Sequence, residues 1–297
     1  MSEDPCESLK QADAAPSEWR HPMDVESIEV DLLLEALHQR HGYDFRHYAR
    51  ASVTRRLRQH LLKANVPTIS HLIPHVLHDP AALQTLVFDL SITVTEMFRD
   101  PSFYLALREH VIPFLRTFPF INVWHAGCAT GEEVYSLAIV LTEGGLYDRA
   151  QIYATDFNDD ALQKARERIY PMEKIKEYTA NYQKAGGRRA FAEYYHARYD
   201  AVILDPALQK NVTFANHNLV TDGAFAEMHL VLCRNVLIYF DRTLQDRVLT
   251  LLRDSLCHQG FLCLGTKESV QFSQVKDDFV EVVSRERIYQ YKRRQLP

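Results

Sequence analysis

Residues 121–156 set the tightest limit on what this chain can fold into. An apolar run from Ile121 to Ala126 leads into Gly127-Cys-Ala-Thr-Gly131. A helical stretch follows over about 132–142, and a second apolar run over 151–156 ends in Asp156. Two short strands separated by a helix cannot close as a tight hairpin; they pair in parallel through a crossover. The rhythm continues with apolar runs at 212–215, 230–233 and 261–264, and a helix over about 242–256 between the last two. The expected fold class is α/β: a doubly wound, mostly parallel, Rossmann-like sheet with helices on both faces. The last runs, Phe279–Val283 and Ile288–Tyr291, read as an antiparallel pair at one edge of it.

Before about residue 120 no strand signal occurs. Ile28, Leu32, Leu33, Ala36 and Leu37 recur at helical spacing, and Val53, Leu57, Leu61 and Leu62 do so over about 51–64. Stretches 69–77 and 82–90 read as further helices, broken by Pro74 and by Asp79-Pro80. This divides the chain into a flexible polar tail over 1–25, a small all-α domain with its linker over 26–90, and the α/β domain over 91–297. A small β insertion is expected near 190–214, where Tyr, Val and Ile cluster around Asp200 and Asp205-Pro206. Gly186-Gly187 reads as a linker. Asp159 or Asp160 is placed to cap the helix after the second strand.

Charge and cysteine content narrow the classes. Lys and Arg number 34 against 39 Asp and Glu, a formal charge of −5, which disfavours a general nucleic-acid binder. No apolar run reaches the ~20 residues of a membrane helix, and no signal peptide is visible. Five cysteines, Cys6, Cys128, Cys233, Cys257 and Cys263, follow neither a zinc nor a disulfide spacing. A reducing cytoplasm is the expected location. His125 and Cys128 lack companion ligands, so no metal is expected, and Cys233 reads as a small buried hydrophobe.

The glycine turn carries the chemistry. Gly127 and Gly131 let the backbone turn sharply and approach a ligand, and the helix behind them offers unpaired N–H groups. In a dinucleotide site such a turn cradles pyrophosphate. Here Glu132 and Glu133 stand at the helix start and would repel it. They suit a cationic or hydroxyl-rich ligand, such as the methionine moiety of S-adenosylmethionine with its ammonium and sulfonium. Asp156, about 25 residues after Gly131, stands where an acidic residue holds ribose hydroxyls.

Five ordered motifs then carry a specific resemblance: Thr93-Val-Thr-Glu-Met-Phe-Arg-Asp100, Gly127-Cys-Ala-Thr-Gly-Glu-Glu133, Ala154-Thr-Asp-Phe-Asn158, His217-Asn-Leu219 and Cys233-Arg-Asn-Val-Leu-Ile-Tyr-Phe-Asp241. From about residue 30 to its end the chain resembles the chemoreceptor glutamate methyltransferases, the CheR-type family. The resemblance implies a class I methyltransferase fold. It implies methyl transfer from S-adenosylmethionine to a receptor glutamate, with a methyl ester and S-adenosylhomocysteine as products. By position it implies cofactor contacts at Thr93, Thr95, Arg99, Glu133, Asp156, Asn218, Leu219, Arg234 and Asn235. Thr93 stands where enteric members carry asparagine. Asn218 and Leu219 would flank the adenine.

An acceptor carboxylate is already ionised near neutral pH, so position and desolvation are what the protein must supply. Arg99 and Tyr239 are the expected catalytic residues, the first orienting a carboxylate and the second beside the methyl donor. Arg234-Asn-Val-Leu differs from the Asn/Asp-Pro-Pro-aromatic signature of amino-group methyltransferases, which disfavours a nitrogen acceptor. The expected partner is the cytoplasmic domain of a chemoreceptor or related sensor, met in part by a basic helix with Arg50, Arg55, Arg56, Arg58 and Lys63. In some members the β insertion grips a tether peptide through a glycine-bearing hairpin. His196-Ala-Arg-Tyr-Asp200 has no glycine, so that grip is not expected here. Neither nucleic acid nor membrane insertion is expected, and a monomer is. The competing readings are a methyltransferase for another acceptor and a non-catalytic, cofactor-binding signalling protein.

Overall fold

The structure, a computed structural model, describes residues 24–91 and 95–292. Thr93 and all but the last residues of the expected tail lie outside these. Among the described residues four α-helices come first: α1 (Val25–His41), α2 (Arg50–Ala64), α3 (Leu72–His78) and α4 (Pro80–Leu90). They close on a core that includes Val30, Leu33, Leu37, Val53, Leu57 and Leu86. Leu62 is exposed instead, because it lies one residue, about 100°, around α2 from Leu61. Pro74 sits inside α3 rather than breaking it; in the first turn its missing N–H has no helical partner to lose. Asp79 ends α3, and its side chain accepts the Ala81 N–H at the start of α4.

Sequence periodicity places no element over 91–120, where the structure has α5 (Pro101–Ala106), a π-helical turn (Leu107–Val111) and α6 (Ile112–Leu115). Phe103, Tyr104, Leu107, Val111 and Leu115 of this stretch are buried against the main core. That core is a sheet of β1 (Ile121–Ala126), β2 (Ala150–Asp156), β6 (Val212–Asn216), β7 (Met228–Cys233), β8 (Leu256–Leu264), β9 (Phe279–Val283) and β10 (Ile288–Tyr291) in the order β6-β2-β1-β7-β8-β10-β9. Pairs β6/β2, β2/β1, β1/β7 and β7/β8 are parallel; β10 is antiparallel to both neighbours. The chain winds outward from β1 through β2 to β6, then returns to β7 on the other side of β1. That reversal opens a crevice at the carboxyl ends of β1 and β7, where ligands of such sheets bind.

Helices α7 (Glu132–Glu143), α8 (Asp159–Glu167) and α10 (Arg242–Asp254) make the crossovers. Asn158, not Asp159 or Asp160, caps α8: its Oδ1 accepts the N–H groups of Asp160 and Ala161. The β insertion starts earlier than expected. It is a three-stranded antiparallel sheet, β3 (Ile169–Pro171), β5 (Ala201–Leu204) and β4 (Tyr195–Arg198) in that order, with α9 (Ile175–Lys184) between β3 and β4 in the chain. Residues 212–214 belong to β6 of the main sheet.

Gly186-Gly187 is not a loose linker. A Cβ on Gly187 would stand 2.2 Å from the Tyr182 ring, so the turn is packed shut. Glu143, at the end of α7, ties this region down. Its side chain, 1% exposed, accepts hydrogen bonds from Tyr182 (2.5 Å) and Tyr194 (3.0 Å) and pairs with Arg108 at 2.6 Å. Replacing Glu143 by alanine strands a buried guanidinium, and urea denaturation is expected to show a loss of about 3–5 kcal/mol.

Candidate active site

The glycine turn leaves β1 with Gly127 at φ +80° and enters α7 with Gly131 at φ +90°. Both are tight as well as left-handed: a Cβ would meet Val236 at 2.7 Å from Gly127 and Ala165 at 2.9 Å from Gly131. Asp156, at the end of β2, reaches back to this turn. Its Oδ2 accepts the Ala129 N–H (2.9 Å) and its Oδ1 the Asn158 N–H (3.0 Å). Burial pushes this carboxyl above its usual range, against those backbone bonds.

Glu132 and Glu133 part company. Glu132 is 6% exposed and turns away from the crevice, its Oε2 accepting from the Thr130 hydroxyl at 2.7 Å. Burial pushes it up to about 7. Glu133 faces the crevice and pairs with Arg234 (2.8 Å) and His125 (3.3 Å). Burial alone would raise it; Arg234 and His125 outweigh burial and hold it below the usual carboxylate range. The Arg234 side chain is itself fully buried. Its other terminal nitrogen reaches Asp100 at 2.8 Å, and its guanidinium lies 3.9 Å from the centre of the Phe103 ring.

These groups surround one cavity of about 990 Å3, open mouth included. Thr95, Arg99, Glu133, Asp156, Asn218, Leu219, Arg234, Asn235 and Tyr239 all line it. So every site residue expected from the sequence is brought to this cavity except Thr93, which lies outside the described residues. Further walls were not foreseen. Tyr48 comes from the helical domain, held there by the Ala49 N–H donating to the Tyr239 carbonyl (2.7 Å) and by its ring 5.0 Å from Phe240. Glu96 is pushed up by burial and by Glu177 beside it. Asp100, which no periodicity marks, fixes Arg234. The available signal for Glu96 and Asp100 was their place in the motif Thr93–Asp100; in the structure Phe98, Asp100, Ala129 and Asn235 all take left-handed conformations without being glycine.

The basic helix is largely occupied at home. Arg50 pairs with Asp31, Arg58 with Glu26 and Lys63 with Asp89, while Arg56 donates to the carbonyls of Asp89 and Ser91. Arg55 is exposed. Burial pushes the Tyr239 phenol up, against the fields of Arg56, Arg99 and Arg55. Glu133 and Asp156 thus line the cavity at the strand ends, and Arg99 lines it together with Tyr239.

The donor set fits S-adenosylmethionine. Carboxylates suit its ammonium and ribose hydroxyls, and Leu219 and Phe157 offer apolar cover for a base. Together with the sheet order, this cavity defines an S-adenosylmethionine-dependent methyltransferase. Residues 93–288 match the family described as "CheR methyltransferase, SAM binding domain", and residues 28–91 the one described as "CheR methyltransferase, all-alpha domain". The chain belongs to the CheR methyltransferase family, and S-adenosylmethionine is its cofactor. It is 53% identical over 262 residues to "Putative methyltransferase Cher3" of Pseudomonas putida, covering 88% of this chain and 96% of that protein. It is 30% identical over 231 residues to the "Chemotaxis protein methyltransferase" of Listeria innocua, covering 77% and 85%.

Two measurements test this geometry. Asp156→Ala is expected to weaken S-adenosylhomocysteine binding by at least about tenfold in calorimetric titration, through loss of a charged acceptor. Glu132 speaks to stability. Its folded-state proton is held more tightly than in the unfolded chain, so its contribution falls as pH rises from about 4.5 to about 7. Glu132→Gln is expected to raise stability at pH 8, by up to about 3 kcal/mol, and to change it little near pH 4; thermal melts across that range read the difference.

Proposed function

We propose that this enzyme methylates glutamate side chains of a chemoreceptor or related sensor protein, forming methyl esters. The observation that carries the reading is Arg99, which lines the cavity together with Tyr239. An amine or nucleobase acceptor gains nothing from a guanidinium there; a carboxylate is drawn in and oriented by it. The names of the relatives, chemotaxis methyltransferases, support the same acceptor.

When bound, S-adenosylmethionine supplies an electrophilic methyl group on a sulfonium. Glu133 and Asp156 hold the cationic and hydroxyl ends of that cofactor, and Asn218 with Leu219 flanks its base. Arg234 acts through Glu133, because both ends of its guanidinium are taken up by Glu133 and Asp100. The acceptor carboxylate brings its own nucleophilic oxygen in the ionised state, so no residue need remove a proton. Arg99 orients that carboxylate, and Tyr239 with Tyr48 walls off water beside it. Arg55, exposed on α2, meets acidic residues flanking the target glutamate.

The test is transfer of a tritiated methyl group to purified cytoplasmic fragments of chemoreceptors. Label that base releases as methanol supports the ester; base-stable label, or label only on non-protein acceptors, refutes it. In the same assay Arg55→Glu is expected to raise the acceptor KM about tenfold while leaving S-adenosylhomocysteine affinity within about twofold, as loss of electrostatic steering requires.

A further inference from the structure

The segment 234–239 carries Asn235 and Tyr239 to the cavity; residues 234–236 are neither helix nor strand, and Leu237–Tyr239 is a single 3-10 turn. Asn235 is left-handed, at φ +60°. Such a segment keeps its shape only if its backbone groups find partners. One side chain supplies them. Glu268, in the loop after β8, is 4% exposed and accepts three backbone N–H groups: Asn235 (2.9 Å) and Gly265 (2.6 Å) on Oε2, and Ile238 (3.2 Å) on Oε1. Burial pushes its carboxyl up, against these bonds. Gly265 makes the approach possible: a Cβ there would stand 2.8 Å from the Asn235 backbone nitrogen, from its side-chain amide and from the Glu268 carboxylate.

We infer that Glu268 is the positioning residue that holds Asn235 and Tyr239 in their working conformation, without touching cofactor or acceptor itself. The bonding pattern is specific to a carboxylate. Both oxygens accept, so a glutamine amide must turn its NH2 toward one of the N–H groups that it should receive. The loss is a buried donor left unpaired in the middle of the site-forming loop. Ala49 and His47 grip the far end of the same loop, through the Tyr239 carbonyl and the Asp241 N–H. Glu268 therefore fixes one end and the helical domain the other. The inference holds for any methyl acceptor and goes beyond the acceptor proposal.

The test needs no acceptor. Hydrogen exchange of Glu268→Gln is expected to speed up at least about tenfold over residues 234–239, with β1 and the glycine turn unchanged. Gly265→Ala, which disturbs the same bonds from the other side, is expected to give the same local pattern; it stands in if Glu268→Gln does not fold. Calorimetry with S-adenosylhomocysteine on Asn235→Ala, Glu268→Gln and the pair supplies the second readout. If Glu268 works through Asn235, the double variant binds no more weakly than about the weaker single one. Multiplying losses, or exchange that rises across the whole domain, would overturn the assignment and leave Glu268 a general structural residue. Failure of methyl transfer to receptor fragments would leave both readouts standing.

Discussion

A single buried guanidinium holds the active site together. Arg234 leaves the end of β7 and is fully enclosed, at a desolvation cost of several kcal/mol that only close partners offset. It finds Asp100 ahead of α5, Glu133 at the start of α7, and the face of Phe103. Three stretches far apart in the chain are thereby fixed to one point. A lysine would carry the charge but not the fork, and could not satisfy two carboxylates in these directions.

The same logic of shared anchors recurs around the cavity. Asp156 binds the backbone of the glycine turn, and Gly127 packs on Val236 of the facing loop. Glu268 gathers the N–H groups of that loop, and the helical domain seals its far end through Tyr48 and Ala49. Each orphaned polar group in a low-dielectric interior is costly, so these shared bonds favour one arrangement of the segments. That preference makes the cavity's shape a property of the whole α/β domain and of α1–α4 together.

Electrostatic division gives the cavity its direction. Glu133 and Asp156 occupy the sheet side, whereas Arg99, Arg56 and Arg55 influence the Tyr239 side. The cationic methyl donor is favoured on the carboxylate side. Most of the basic residues on α2 pair with groups of α1 and α4 instead.

What the sequence determined by itself was local in origin. Short apolar runs and helical spacing marked β1, β2, α7 and the terminal hairpin, and the glycine turn followed by two glutamates disfavoured pyrophosphate. Motif order pointed to the family and to a set of residues that meet at one cavity. What only the tertiary structure decided was direction and partnership. Adjacent glutamates at 132 and 133 are equal on paper; helical geometry turns them about 100° apart, one into the core and one onto Arg234. The positions of Tyr48, Asp100 and Glu268 likewise depend on which segments the sheet order brings side by side. Such contacts span tens to nearly two hundred residues, and no periodicity within the chain encodes them.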